Sequence, residues 1–311
     1  MIDLIIPYYN NPSGLLRTLD SINHDIFYIT IVDDYSDQPI PSCINADRII
    51  RLNFNVGPGN ARQWGMDYSY NPYIMFLDTG DIFISKKVQT KLEKTINYHP
   101  EVNMFAWTYY FDKELSSYQD NRMHGKVYKR DFINKYGISF CPYCSYLNED
   151  IGFNHICRGI LAANEENIHY IDQPIIKWIR DENSLTQKDG RVSLYRDQVR
   201  ALALNIIHVI NTFNTIGLES STELHQMAIA IYYWFIRTAA ECPEYLPEAW
   251  SGAKIFYNTF KNNINKDELF VGNEYLRNCL KYADRINFHV NILQFYNDIL
   301  TNEIIPNKYL T

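Results

Sequence analysis

The chain has 311 residues, of which 46% are hydrophobic and 21% charged, with a net charge of −7 and a pI near 5.6. The composition is ordinary for a globular protein of one large or two modest domains. The acidic balance excludes a bulk electrostatic attraction to nucleic acid or anionic lipid, although it leaves room for a local basic groove. Six cysteines in a chain of this length do not indicate a disulfide framework.

The first half of the chain alternates short apolar runs with polar stretches of helical spacing. The run Asp3–Pro7 stops at a proline, as a buried parallel strand does, whereas Ser13–Ile22 repeats leucine and isoleucine at helical spacing. This alternation predicts an α/β protein with a mixed sheet flanked by helices. The predicted strands are Asp3–Pro7, Tyr28–Asp34, Arg48–Asn53, Tyr73–Asp78 and Val102–Phe111, and the predicted helices are Ser13–Ile22, Gly59–Ser69, Ser85–His99 and Arg130–Gly137.

The pattern changes near residue 190, after which the sequence predicts helices almost throughout. Ser193–Phe213 has the pattern of one long helix, a second covers 222–240, and a last helical region spans Asn273–Ile304. We therefore expect an α/β catalytic domain over 1–190 and a helical C-terminal domain over 191–311. The helical region carries no chemistry that the sequence reveals, and it could cover a binding cleft, form a homo-oligomer interface or cap the sheet.

No segment of the sequence has the pattern of a targeting signal or a membrane span. The first ten residues lack a basic start followed by a long apolar run, and the most apolar helical stretch, Met227–Ile236, is too short to cross a bilayer. The sequence therefore predicts a cytoplasmic protein without an integral membrane segment.

Two cysteines in a C-x-x-C arrangement raise the question of a structural metal. Cys141 and Cys144 are followed by His155 and Cys157, and four such side chains could hold zinc. A second C-x-x-C is missing and the spacing of the last two residues is unusual. Four unrelated residues in a packed region are therefore the favoured interpretation.

Acidic or amide residues follow three of the predicted strands. Asn10 comes after the first, Asp33 and Asp34 end the second, and Asp78 and Asp81 follow the fourth. Ligands of open α/β sheets sit at the carboxyl ends of the strands, so we expect these side chains to converge. Mg²⁺ or Mn²⁺ would offset the repulsion among the acids and neutralise a diphosphate leaving group. For each acid alone, a solvated turn residue is the alternative.

Seven segments, in order along the chain, resemble the motifs of glycosyltransferase family 2. They are "IIPYYNN", "IVDDYSDQ", "NVGPGNARQWGM", "YIMFLDTGD", "HGKVYKRDFI", "YLNEDIGF" and "PIIKWIRDENSLT". The resemblance covers about the first 190 residues. It implies a Rossmann-like GT-A fold and an inverting transfer of a sugar, hexosyl or pentosyl, from a nucleotide-diphosphate donor to an acceptor hydroxyl. A UDP-sugar is the favoured donor.

The resemblance also implies roles for individual residues. Asp150, preceded by Glu149, matches the acidic pair that supplies the catalytic base, and Arg180 would close over the diphosphate. Asp78 and Asp81 would hold Mn²⁺ or Mg²⁺. The residues implied in donor binding are Pro7, Tyr9, Asn10, Asp33, Asp34, Gly57, Gly59, Arg62, Asp78 and Arg180.

Two departures from the family pattern bear on the metal. The usual strand end is Asp-x-Asp-Asp, but Gly80 replaces the middle acid here, so Asp81 is expected to take over as ligand. No histidine occupies the "RDENS" segment, where many relatives place a further ligand, and Asp181 or Glu182 could substitute.

Several alternatives stay open. A nucleotidyltransferase could share the architecture, although "YYNNPSGLLR" lacks a glycine- and lysine-rich phosphate loop, and Gly80 suggests a non-catalytic sugar-nucleotide-binding protein. The acceptor could be a glycan, a lipid-linked glycan, a protein side chain or, as in some phage enzymes, a modified base in DNA. The net charge of −7 favours a glycan over DNA, and the basic run Lys126–Arg130 is expected to be a solvated helix start.

Overall fold

The structure is a computed structural model that describes a large part of the chain. Two compact units divide the chain, Met1–Asp181 and Glu182–Thr311. The domain boundary predicted near residue 190 lies outside the described residues and stays a prediction. The described residues are 1–38, 40–111, 113–116, 122–144, 146–179, 192–219, 221–262, 281, 283 and 291–309.

In the first unit, the described residues form nine strands of one mixed sheet, with the spatial order β3-β2-β1-β4-β8-β6-β9-β5 and β7 paired to β6. β1 to β4 are parallel, β8 runs antiparallel between β4 and β6, and β9 is parallel to β6. The predicted α/β class is thereby confirmed. The strands are β1 (Ile2–Tyr8), β2 (Phe27–Asp33), β3 (Arg48–Arg51), β4 (Tyr73–Phe76), β5 (Ile82–Phe83), β6 (Met104–Phe111), β7 (Glu114–Leu115), β8 (Lys126–Lys129) and β9 (His169–Trp178).

Five helices of the first unit lie within the described residues, and local sequence explains where they begin and end. The sequence predicted a first helix from Ser13, but Asn11 is its cap because its Oδ1 accepts the Gly14 amide at 2.9 Å. Gly137, with φ +60°, ends the fourth helix in the left-handed conformation. The helices are α1 (Pro12–Asp20), α2 (Gly57–Asp67), α3 (Lys86–Tyr98), α4 (Arg130–Tyr136) and α5 (Glu149–Ala163).

The central strands are buried, and α2 packs directly on them. Leu4, Ile5 and Ile6 of β1 have no exposed surface, which explains the continuous apolar run in the sequence. A Cβ on Gly65 would lie 2.3 Å from Cγ2 of Ile5, so the glycine allows α2 to approach β1 closely. This packing fixes the position of the other α2 side chains over the sheet.

The structure corrects the prediction made for the basic run at residues 126–130. It was expected to be a solvated helix start, but Lys126–Lys129 is the strand β8, and Lys126 is only 1% exposed. The ammonium of Lys126 is retained inside because it donates to the carbonyl oxygens of Arg122 and His124. α5 and β9 were also missed, although the buried side chains of α5 recur at helical spacing, at positions 153, 156, 157, 160 and 161.

The second unit is helical where it is described, as predicted. Phe235, Trp250, Phe295 and Tyr309 pack ring against ring in its core. Half of the predicted helical region Asn273–Ile304 lies outside the described residues. Within the described part of the chain, no helix has both the length and the apolarity needed to cross a membrane. The helices are α6 (Val192–Thr215), α7 (Ser221–Glu241), α8 (Leu246–Phe260) and α9 (Ile292–Thr301).

Candidate active site

One edge of the sheet gathers most of the candidate residues. The parallel strands β1, β2, β4, β6 and β9 end at this edge, and the antiparallel strand β8 begins there. Asp78 and Asp81 follow β4, and His124 precedes β8. The topology therefore brings together residues that are far apart in the sequence.

Asp78, Asp81 and His124 form a cluster in which one ligand atom from each lies within 4.8 Å of the others. The Nε2 of His124 is 3.1 Å from Oδ2 of Asp81 and 3.8 Å from Oδ2 of Asp78. Both Asp81 Oδ2 and His124 Nε2 are buried, and neither makes a hydrogen bond of normal geometry to another described residue. Buried carboxylate and imidazole atoms that face one another in this way fit a divalent cation.

We call Asp78, Asp81 and His124 the metal-binding cluster, after the cation that they could hold, and their electrostatics are consistent with such a cation. Desolvation alone would raise the pKa of Asp78, but the charges of Arg62 and His124 hold it below its ordinary value. Burial raises the pKa of Asp81. Burial alone would lower the pKa of His124, but the close contact with Asp81 and the nearby acidic charges raise it above its ordinary value. Either a protonated imidazole or a divalent cation would thus supply positive charge between the two acids.

Gly80 shapes the turn that presents the two acids. Its φ is +108°, a conformation that L side chains rarely adopt, and its amide donates to Oγ1 of Thr18 at 2.9 Å. The Thr79 hydroxyl donates to the carbonyl of Pro7 at 2.6 Å, which ties the turn to the end of β1. An acid at position 80 would have to adopt this rarely allowed backbone conformation, so glycine suits the position better than the acid of the usual motif.

We expect Gly80→Ala to lower the free energy of unfolding by about 1–3 kcal/mol. The nearest atom to a Cβ at this position would lie 3.9 Å away, so the loss comes from backbone strain and not from a clash. Urea unfolding measures it, with Gly137→Asn as the comparison, because asparagine tolerates the left-handed conformation of Gly137. A loss at Gly80 no larger than that at Gly137 would contradict the assignment of strain.

Arg62 of α2 joins the metal-binding cluster to α5. Its Nη2 lies 2.5 Å from Oδ1 of Asp78 and its Nη1 lies 2.8 Å from Oε1 of Glu149, and the side chain is only 4% exposed. Burial and the charge of Asp150 raise the pKa of Glu149 to about 7, against the opposing effect of Arg62. The guanidinium of Arg62 is held by two acids of the protein, and its predicted role in binding the donor stays a prediction.

Asp150 lies in the first turn of α5, at the same edge of the sheet. Its Oδ2 accepts the amide of Met123 at 3.4 Å, and its Oδ1 accepts the amide of Ile151 at 2.8 Å. Because Met123 directly precedes His124, the carboxylate of Asp150 lies close to the metal-binding cluster. The side chain is half-buried, so one side of it is open to a ligand.

Asp33 and Asp34 at the end of β2 are both buried and bonded within the protein. Asp34 accepts the amides of Val56 and Gly57 at 2.6 and 2.8 Å and so anchors the start of α2, while burial raises its pKa. Asp33 lies 2.5 Å from Nη1 of Arg51. Contact between either acid and a nucleotide stays a prediction.

The first strand end supplies one exposed aromatic ring. Asn10 adopts φ +49° and accepts the Gln38 amide at 2.9 Å, which holds the loop in place. Tyr9 keeps 51% of its surface exposed, so its ring is available to a ligand, and Pro7 is half-buried beside it. Arg180, Asp181 and Glu182 lie outside the described residues.

The structure does not assemble the C-x-x-C residues into a metal site. Among the described residues, Asp78, Asp81 and His124 are the group of three whose ligand atoms lie close enough for one ion. Cys141 and Cys157 are buried thiols, and burial lowers the pKa of His155 to about 4.

Sequence reasoning missed His124, although the segment "HGKVYKRDFI" that begins with it had been singled out. The signal that could have found it is topological. A strand that runs antiparallel begins at the edge where its parallel neighbours end, so a residue just before β8 meets residues just after β4. Sequence alone did not reveal that residues 126–129 form a strand of that direction.

Comparison with known proteins shows which family the first part of the chain resembles. A family model described as glycosyl transferase family 2 matches residues 3–151. An uncharacterized glycosyltransferase of Rickettsia felis is 33% identical over 100 residues, which is 30% of this chain and 17% of the relative. The amylovoran biosynthesis glycosyltransferase AmsB of Erwinia amylovora is 31% identical over 102 residues, 29% of this chain and 34% of that protein. The match thus spans much less than two thirds of these relatives.

Solved structures extend the likeness beyond the matched segment. TarS of S. aureus superposes with a TM-score of 0.63 at 14% identity, covering 96% of this chain and 55% of TarS. Residues 1–349 of TarS in complex with UDP-GlcNAc give a TM-score of 0.60 at 16% identity, covering 99% of this chain and 89% of that one. These likenesses confirm the predicted GT-A fold followed by a helical region.

Proposed function

Residues 3–151 belong to glycosyltransferase family 2, and on that premise we propose that the protein transfers a sugar from a nucleotide-diphosphate donor to an acceptor hydroxyl with inversion at the anomeric carbon. One observation carries the proposal. The metal-binding cluster and the carboxylate of Asp150 lie at one edge of the sheet, joined through the consecutive residues Met123 and His124. A site for a diphosphate and a base for an acceptor are thus adjacent.

Asp150 is the proposed catalytic base. Its carboxylate removes the proton of the acceptor hydroxyl as the acceptor oxygen bonds to the anomeric carbon of the donor sugar. The bond between that carbon and the diphosphate oxygen breaks at the same time, and the nucleoside diphosphate leaves on the opposite face. The proton stays on Asp150 until solvent removes it, so charge and atoms balance.

Asp78, Asp81 and His124 would hold a divalent cation, Mn²⁺ or Mg²⁺. When bound, such an ion neutralises the charge that develops on the leaving diphosphate. Arg62 positions Asp78 and Glu149 and thereby keeps both the metal-binding cluster and the start of α5 in place. Glu149 is therefore a positioning residue in this account, next to the base.

A UDP-sugar is the proposed donor. The support is the superposition on TarS with UDP-GlcNAc and the position of Tyr9, whose exposed ring lies at the end of β1 and can stack on a base. A glycan is the proposed acceptor in preference to DNA, since Lys126 of the basic run is buried inside β8. Calorimetric titration with UDP, GDP and CDP, each with and without Mn²⁺, tests the donor. Metal-dependent binding of UDP is the expected result, and binding of none of the three would contradict the proposal.

We expect His124→Phe to raise the Kd for Mn²⁺ about tenfold or more, because a ligand nitrogen is lost. Phenylalanine fills the same space and keeps the ring contact with Tyr109, whose centroid lies 5.0 Å from that of His124. The titration is followed by the electron paramagnetic resonance of free Mn²⁺. His99→Phe is the control, because His99 follows α3 and contacts His169 where β9 begins, at the edge of the sheet opposite the metal-binding cluster. An unchanged Mn²⁺ affinity in His124→Phe would remove His124 from the proposed metal site.

A further inference from the structure

Three side chains form a stack at the ends of β6 and β9. Phe111 and Trp178 end these strands as a register pair, and their rings stack with centroids 4.3 Å apart and planes 16° apart. The Cζ of Arg122 lies 4.8 Å from the centroid of Phe111. Phe111 and Trp178 are partly exposed and Arg122 is exposed. We call Phe111, Trp178 and Arg122 the aromatic stack.

One set of contacts ties the aromatic stack to the metal-binding cluster through β9. Ile179, the residue after Trp178, donates its amide to Oδ1 of Asp81 at 3.2 Å. Because Ile179 and Trp178 are consecutive, the indole of Trp178 cannot be far from the acid that follows β4. A ligand on the aromatic stack would therefore reach the edge of the cluster.

A second set of contacts runs through Arg122. Its Nη1 lies 3.4 Å from the hydroxyl of Tyr109, whose ring stacks on His124. The next residue, Met123, donates its amide to Asp150. Three consecutive residues thus connect the sites. Arg122 belongs to the aromatic stack, Met123 contacts the proposed base, and His124 belongs to the metal-binding cluster.

The order of the strands gives the aromatic stack its place in the reaction. The proposed nucleotide residues follow β2 and β1, the metal-binding cluster lies at β4 and β8, and the aromatic stack ends β6 and β9, which are consecutive positions in the sheet. Two strand spacings, about 10 Å, separate β4 from β6, which is room for one sugar ring. A nucleotide-sugar with its acceptor has its parts in a matching order, which is nucleoside, diphosphate, donor sugar and acceptor.

The chemistry of the aromatic stack indicates the kind of acceptor. The face of an aromatic ring is negative and suits the C–H-rich face of a pyranose, and a guanidinium suits carboxylate and phosphate oxygens. We propose that the aromatic stack is the acceptor subsite and that it takes a saccharide ring bearing a carboxylate or a phosphate. This inference rests on the proposed function, because it concerns the acceptor of the same reaction.

The test compares transfer to three acceptors that share one ring, p-nitrophenyl glucoside, its 6-phosphate and p-nitrophenyl glucuronide. The two acidic acceptors are expected to have KM values at least about tenfold lower than the neutral one. Trp178→Ala raises the KM of all three about tenfold, whereas Arg122→Gln raises only the KM of the acidic pair. The phosphate and glucuronide arms show which anion Arg122 prefers, and either preference supports the inference.

Two controls separate this inference from the proposed function. Tyr110→Ala removes an aromatic ring that is 36% exposed on the same strand but on the opposite face from Phe111, and it is expected to change no acceptor KM. The Kd for the donor, measured by calorimetry, is expected to stay within about twofold in Trp178→Ala and Arg122→Gln.

The inference is overturned if the wild type hydrolyses its donor but transfers to none of the three saccharides or prefers the neutral one. It is also overturned if both variants keep the wild-type acceptor KM. A loss of donor affinity in the two variants overturns it as well, because the aromatic stack would then serve the donor. In each of these cases the proposed function stands. The inference and the proposed function are both contradicted only if the wild type neither binds nor hydrolyses any nucleotide-sugar.

Discussion

Asp150→Asn is expected to lower the turnover number for sugar transfer about 10²–10⁴-fold while the Kd for the donor stays nearly unchanged. The substitution keeps the shape of the side chain, and its single oxygen can still accept one of the two backbone amides that bind Asp150, but an amide cannot accept the acceptor proton. Nucleoside diphosphate release measures turnover, and calorimetry with the donor measures binding.

Asp131→Asn is the matched control for Asp150→Asn. Asp131 lies in the first turn of α4, as Asp150 lies in the first turn of α5, but it is exposed and outside the active-site edge. The control is expected to keep wild-type turnover. A variant at Asp150 that keeps more than a tenth of wild-type turnover would show that another group acts as the base.

Arg62→Leu is expected to lower the free energy of unfolding by about 3–5 kcal/mol. The guanidinium is only 4% exposed and holds Asp78 and Glu149, so its removal leaves the buried Glu149 and the partly exposed Asp78 without their counter-charge. The pKa of both acids should then rise, which also weakens any cation bound through Asp78. Urea unfolding of the full chain, followed by tryptophan fluorescence, measures the loss.

Arg17→Leu provides the comparison for Arg62→Leu. Arg17 is an exposed arginine of α1 in the same unit, and its replacement is expected to change the free energy of unfolding by no more than about 0.5 kcal/mol. Arg62→Lys keeps the charge but loses the fork that reaches two acids, so an intermediate loss is expected. Equal stability of Arg62→Leu and Arg17→Leu would contradict the bridging role of Arg62.

The strand ends were predictable from the sequence because their chemistry is local. β1, β2 and β4 are largely apolar strands, and β2 ends at an acid while Asp78 and Asp81 closely follow β4. The family motifs then implied Asp150, which the structure places near the same edge.

Other parts of the site were hidden because they depend on tertiary pairing. His124 reaches Asp81 only because β8 runs antiparallel beside β4, and the short β8 carries lysines at both ends, which conceals its burial. The position of Arg62 depends on the close approach of α2 at Gly65. The sequence pattern does not reveal that Phe111 and Trp178 become neighbours, because two strands and two helices lie between β6 and β9 in the chain.

The most direct test of the account is nucleoside diphosphate release by the wild-type chain from a panel of UDP-, GDP- and CDP-sugars, with Mn²⁺ and with a chelator. The account predicts release from a UDP-sugar that requires the cation and that is lost in Asp150→Asn. No release from any donor, in a protein that is folded by circular dichroism, would contradict it and leave a chain that has the fold of the family without its reaction.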